Sequence, residues 1–194
     1  MADLLYLSYW LRGFGEANML RHFEKALRVF PLSALAPGIS TLRFYAFEYA
    51  EPPMFERFFD RPPALETVLT AAREFRNADC AYLAGGYWDL WQFENSWKLA
   101  PAPVTLGCYG PLYQNDHGDQ LRLELGPDLH FLPQPEYPAS VDKIRSNIQG
   151  ILRLARDLDG VLPVEKRQLW SESGESFAGR FEEALGGSGL TLPG

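Results

Sequence analysis

Apolar residues return every three or four positions in three separate stretches of this chain, and that spacing fixes most of what it can fold into. Met19, Leu20, Phe23, Ala26, Leu27 and Phe30 make the first stripe; Leu65, Val68, Leu69, Ala72 and Phe75 make the second; Val141, Ile144, Ile148, Leu152, Ala155 and Leu158 make the third. At helical pitch each set lies along one side of a helix, and a helix with one apolar side must bury it against another layer. The punctuation agrees. Pro31 ends the first helix, Pro62 opens the second at a position whose missing N–H costs little, and Ser140 caps the third, with Asp142 in its first turn and Gly160 and Pro163 beyond its end.

The layer to be covered is a sheet. Residues 4–12 alternate, with Leu5, Leu7, Tyr9 and Leu11 on one face and Tyr6, Ser8 and Trp10 on the other. Residues 41–49 and 164–170 have strand character, and 104–113, 120–125 and 129–132 read as a meander because turn clusters at 115–119 and 126–128 separate them. The aromatic piece at 54–59, bracketed by Pro52, Pro53, Pro62 and Pro63, reads as one helical turn or an irregular loop. Phe177, Phe181, Ala184 and Leu185 mark a short closing helix. The fold class expected is α+β, an antiparallel or mixed sheet with amphipathic helices on one face. Strand–helix–strand occurs at 4–49 and again at 129–170, which suits a ferredoxin-like arrangement, duplicated or not. One domain over 1–187, or two fused halves at about 1–78 and 79–187, would precede a flexible tail at 188–194.

Composition narrows the chemistry. With 194 residues, 46% of them hydrophobic, the chain can bury a core without disulfide or metal staples. A net charge of −7 argues against nucleic acid, whose phosphates call for clustered Lys and Arg. Cys80 and Cys108 are too few and too far apart for a disulfide framework or a zinc site and fit buried thiols in a reducing compartment. No signal peptide and no apolar run of about 18 residues is present, so a cytoplasmic location and no membrane partner are expected. The stretch Gly13-Phe14-Gly15-Glu16-Ala17-Asn18 follows a strand and opens a helix, as a dinucleotide-binding turn does, but Asn18 replaces the third glycine and Glu16 would repel a pyrophosphate. It reads as a plain strand-to-helix turn. His22 reads as solvated beside Arg21, His117 as part of a polar hairpin loop with Asp116 and Asp119, and His130 as a strand residue. Nucleophile elbows, paired Cys and His, zincin motifs and Walker loops are all missing, and no cofactor or metal is expected.

The densest aromatic stretch, 79–97, holds three of the five tryptophans around Asp89. Gly85-Gly86 within it reads as a two-residue hairpin turn in preference to a glycine bulge where another backbone approaches one long strand. Residues 87–93 place Trp88 and Leu90 on one side and Asp89, Trp91 and Phe93 on the other, so Asp89 needs a partner, from the protein or from a ligand. The sheet face without helices would present Tyr6, Trp10, Arg43, Tyr45, Phe47, Arg122, Glu124, Lys166, Gln168 and Trp170. That mixture of aromatic and charged residues suits a small-molecule cleft or a protein interface. The site residues expected are Trp10, Tyr45, Glu48, Trp88, Asp89, Trp91, Arg122 and Glu124. They point to a binding module for a small molecule or a protein partner. The alternatives are an enzyme with Asp89, Glu48 or Glu124 as base and Arg43 or Arg122 as anion holder, or a structural protein that uses the aromatic face to form a homodimer.

Overall fold

Alternation of side chains along extended backbone sorts this chain into two faces, and the three helices take one of them. The computed structural model describes residues 3–48, 52–134, 137 and 140–173. The elements run β1 (Leu4–Leu11), α1 (Met19–Val29), β2 (Ile39–Ala46), β3 (Phe55–Phe58), α2 (Leu65–Glu74), β4 (Cys80–Phe93), β5 (Trp97–Tyr109), β6 (Leu121–Pro127), α3 (Ser140–Val161) and β7 (Val164–Ser171). The strands form one seven-stranded sheet in the order β3-β2-β4-β5-β6-β1-β7, with every neighbouring pair antiparallel. Strands from residues 4–58 and from 80–171 interleave in it, since β1 bonds β6 and β7 while β2 bonds β4. The fold is α+β. The order β1-α1-β2-β3-α2-β4 has the element sequence of a ferredoxin-like unit, but seven strands exceed that unit's four, and β5 and β6 stand between β4 and β1.

The core lies between the sheet and the helices. Leu5, Leu7, Tyr9 and Leu11 of β1, Leu42 and Phe44 of β2, Tyr82, Trp88 and Leu90 of β4, Val104, Leu106 and Cys108 of β5, and Leu121 and Leu123 of β6 all point into it. Met19, Phe23 and Ala26 of α1, Val68 and Ala72 of α2, and Ile151, Leu154 and Leu158 of α3 meet them from the other side. No helix among the described residues is long and apolar enough to cross a membrane. Asn18 accounts for the strand-to-helix turn: its side chain accepts from the Gly15 N–H at 2.9 Å and donates to the Gly13 carbonyl at 2.8 Å. The position where a dinucleotide turn needs its third glycine is thus used to hold the turn itself.

Four sequence expectations change. Gly85-Gly86 is no hairpin turn, because β4 runs through it and turns back only after Phe93. The glycines are there because the neighbours come close: a Cβ on Gly85 would lie 2.2 Å from Thr41 Oγ1, and one on Gly86 would lie 3.0 Å from the Gly38 carbonyl oxygen. The piece at 54–59 contains an edge strand, β3, paired with β2. Residues 128–130 form a 3-10 turn in place of a strand. His22 is buried on α1 and packs against Phe14. The closing helix and tail expected beyond residue 174 lie outside the described residues.

One consequence of β4 is local. It has 14 residues against 8 in β2, and β2 stops pairing at Gly86. Past that point the exposed edge of β4 is completed by non-strand groups. The Ser33 N–H donates to the Tyr87 carbonyl at 2.7 Å. Asn147 of α3 accepts from the Trp91 N–H at 2.9 Å and donates to the Trp91 carbonyl at 2.9 Å and the His130 carbonyl at 2.8 Å. An Asn147→Ala substitution leaves those buried groups without partners and should cost roughly 2–4 kcal/mol in urea unfolding, with no change in m-value.

Candidate functional site

The face of the sheet away from the helices is built of cross-strand rows, because residues directly opposite in an antiparallel pair share a face. One row runs Trp170, Tyr6, Glu124, Thr105, Gly85 from β7 to β4, and the next runs Gln168, Ser8, Arg122, Gly107, Leu83. Gly107 in the second row puts no side chain on this face, whereas Thr41 closes over Gly85 at the end of the first. Tyr109 lies over Gly107, where a Cβ would stand 2.9 Å from the tyrosine hydroxyl. The loop after β5 folds back along one side, so that Tyr113 covers Tyr45 and Ala81 in a small second cluster. What remains is a cleft of about 430 Å³ with Gly107, Thr105 and Leu83 as its floor, Tyr6, Tyr109, Trp170 and His117 as its aromatic walls, and Glu124, Glu172 and Arg122 as its charges.

A hydrogen-bonded hub holds one wall. Asp119, buried to 2% exposure, accepts from Arg122 at 2.6 and 2.8 Å, from Asn115 at 2.6 Å and from the Ser8 hydroxyl at 2.5 Å. The Trp170 indole N–H donates to Ser8 Oγ at 2.9 Å, which ties the outer strand to the same hub. Burial would push the Asp119 carboxyl up, but the bonds from Arg122, Ser8 and Asn115 and the Arg122 charge outweigh it and hold the pKa below the usual value. The Arg122 guanidinium lies 5.1 Å from the Tyr109 ring and 5.5 Å from the Trp170 ring, and donates to Asn115 at 2.7 Å. Tyr6 stacks on Trp170 at 4.5 Å, and His117 tilts over the same indole at 4.1 Å.

Glu124 is in the opposite situation. It is half-buried between Tyr6 and Thr105, and neither its carboxylate nor that of Glu172 is hydrogen-bonded among the described residues. Burial, and then the charge of Glu172, raise its pKa above the ordinary carboxylate range, against the pull of Arg122.

The structure divides the residues singled out in the sequence. Arg122 and Glu124 share the cleft. Tyr45 is on the same face but covered by Tyr113, and Glu48 stands past the end of β2, bridged to Gln114. Trp10 lies at the far end of β1 under the Lys166 ammonium, 4.3 Å from its ring. Trp88 belongs to the helix side, packed between Phe30 and Phe131. Asp89 has a protein partner: it accepts from the Ser33 hydroxyl and from the Ala34 N–H at 2.9 Å, and so anchors the loop after α1. Trp91 carries the Lys143 ammonium 3.4 Å from its ring centre. Trp88, Asp89 and Trp91 border a different groove, of about 480 Å³, between that loop and α3. Arg43 is engaged by Glu56 at 2.5 Å on the edge of the sheet. Missing from the expected set are Tyr109, Gly107, Thr105 and Glu172; the alternation Thr105, Gly107, Tyr109 opposite Val104, Leu106, Cys108 was the signal for the first three. No group of three His, Cys, Asp or Glu side chains among the described residues is placed to hold a metal ion. No family model, curated protein or solved structure matches the chain.

The two buried acids should titrate the fold in opposite senses. The stability Asp119 confers is complete above the unfolded carboxyl range near pH ~4 and is lost as pH falls through its depressed pKa. Asp119→Ala strands Arg122 and should cost about 3–5 kcal/mol at pH 7 in denaturant unfolding. The contribution of Glu124 is present below about pH 4 and disappears as pH rises through its elevated pKa. Glu124→Gln should therefore raise Tm at pH 7 and leave it unchanged in acid, as differential scanning calorimetry at the two pH values will show.

Proposed function

We propose that this protein binds a small molecule in the cleft on the helix-free face. The observation that carries the reading is a concave site on an otherwise closed sheet face: Gly107, Thr105 and Leu83 form its floor, and the rings of Tyr6, Tyr109, Trp170 and His117 stand around them. Its volume of about 430 Å³ falls in the range of about 300–1,000 Å³ typical of small-ligand sites. Rings on the walls and a few polar groups at the rim are the composition such sites use. A reducing compartment such as the cytoplasm suits the two buried free thiols, Cys80 and Cys108.

Carboxylate acid/base catalysis is the second reading, and Glu124 is what favours it, as an acid whose pKa is raised within a concave site. The anion-holding arginine it would call on, Arg122, is already engaged by Asp119. A thermal-shift screen of metabolites on the full chain, repeated on Gly107→Val, tests the binding reading. A ligand at about 100 times its Kd should stabilise the native protein by about 2.7 kcal/mol. The effect should vanish in the variant, where a side chain displaces Tyr109 from the floor. Mass spectrometry of the recovered compound separates the two readings, since a binder returns it unchanged and an enzyme does not.

A further inference from the structure

The charges around the cleft are not equivalent. Arg122 is the one guanidinium lining it among the described residues, and its Nε and Nη2 donors are spent: both carboxylate oxygens of Asp119 and the side-chain oxygen of Asn115 accept from them at 2.6–2.8 Å, which leaves only Nη1. The Asp119 side chain is fully buried, so this pair closes as a neutral unit with no carboxylate edge left for an incoming donor. An anionic ligand would find no open bidentate partner there. Glu124 and Glu172, in contrast, keep carboxylates that no described residue bonds: Glu124 follows Tyr6 in the row that carries the Tyr6–Trp170 stack, and Glu172 lies two residues beyond Trp170. Aromatic faces carry negative potential and attract cations, all the more where water is partly excluded. Two features of different origin, open carboxylates and aromatic walls that already hold the Arg122 guanidinium at 5.1 and 5.5 Å, therefore select the same sign of charge.

We infer that the cleft takes an organic cation, an amine whose ammonium group lies between the Glu124 and Glu172 carboxylates and against the Tyr6–Trp170 wall while its apolar body covers Gly107 and Leu83. The inference rests on the reading of the cleft as the ligand site. The amine donates charge-assisted hydrogen bonds to Glu124 and restores to that carboxylate the partner its neighbours withhold. The half-buried acid is then a binding group whose cost to the empty protein is recovered on occupation.

The test uses small arylalkylamines, each matched with the alcohol and the carboxylate of the same skeleton, added to the full-length protein at pH 7. Binding is followed by calorimetry and by the component of tryptophan fluorescence that Trp170→Phe removes. The expected order is amine first, bound at least about tenfold more tightly than the alcohol or the acid. That preference should weaken with added salt and be lost in Glu124→Gln, whose Tm, measured beside the native chain at the same pH, separates loss of binding from loss of fold. Carboxylates binding more tightly than amines, or amines binding Glu124→Gln as well as the native protein, overturn the inference and leave the cleft reading standing. No change in the Trp170 signal with any of these compounds or with the metabolite panel overturns both.

Discussion

Backbone hydrogen bonds have to be completed wherever a strand outgrows its neighbour, and this requirement at the far half of β4 organises much of the molecule. With 14 residues in β4 and pairing to β2 that ends at Gly86, the polar edge from Tyr87 onward needs partners that are not strands. The loop after α1 supplies one through Ser33, and α3 supplies two through a single amide, that of Asn147. An asparagine side chain presents a donor and an acceptor with the same spacing as a peptide unit, so one residue does the work of a short length of strand. The same bonds fix where α3 lies on the sheet and where the loop crosses its edge. Asp89 completes the arrangement by gripping that loop, which is why so prominent an acid plays no part in the cleft.

Placing all three helices on one face leaves the opposite face to manage alone. Most of it is closed by its own side chains: Tyr113 over Tyr45, Lys166 over Trp10, Arg43 against Glu56. These contacts neutralise charge and cover rings, as a two-layer fold demands of a sheet with one solvated face. The cleft is where that closure is interrupted. Its rigidity comes from Asp119, which collects Ser8 of β1, Arg122 of β6, Asn115 of the loop and, through Ser8, Trp170 of β7. A fully satisfied polar network of this kind keeps ring positions fixed far better than apolar contact alone.

Periodicity made the helices and most strands legible, since stripes such as Met19, Phe23 and Ala26, or the alternation in β1, are properties of neighbouring residues. Gly85-Gly86 was misleading for the same reason. A glycine pair has the same local meaning in a turn and in a crowded strand, and only Thr41 and Gly38, more than 40 residues away, decide between them. The tryptophans near Asp89 attracted attention by density, yet density does not say which face is already filled; the helices fill that of Trp88, and Ser33 satisfies Asp89. Glu124 and Arg122 were legible as charges alternating with leucines in one strand. Their difference was not, because it depends on Asp119, three residues from Arg122 but brought under it by the bend into β6.

Tyr6 stacks on Trp170, and the hydroxyl of Ser8 is bonded by the same indole across 162 positions of sequence. β1 thus has β6 as one neighbour and β7, the last described strand in sequence, as the other. The cleft wall is therefore made by joining the first and the last described strands of the sheet. Closing a loop of that length costs entropy, which the pairing of β1 with β7 and the Tyr6–Trp170 stack must offset. A chain cut just before β7 keeps β1 to β6 and the three helices in its sequence, yet has no indole to stack on Tyr6.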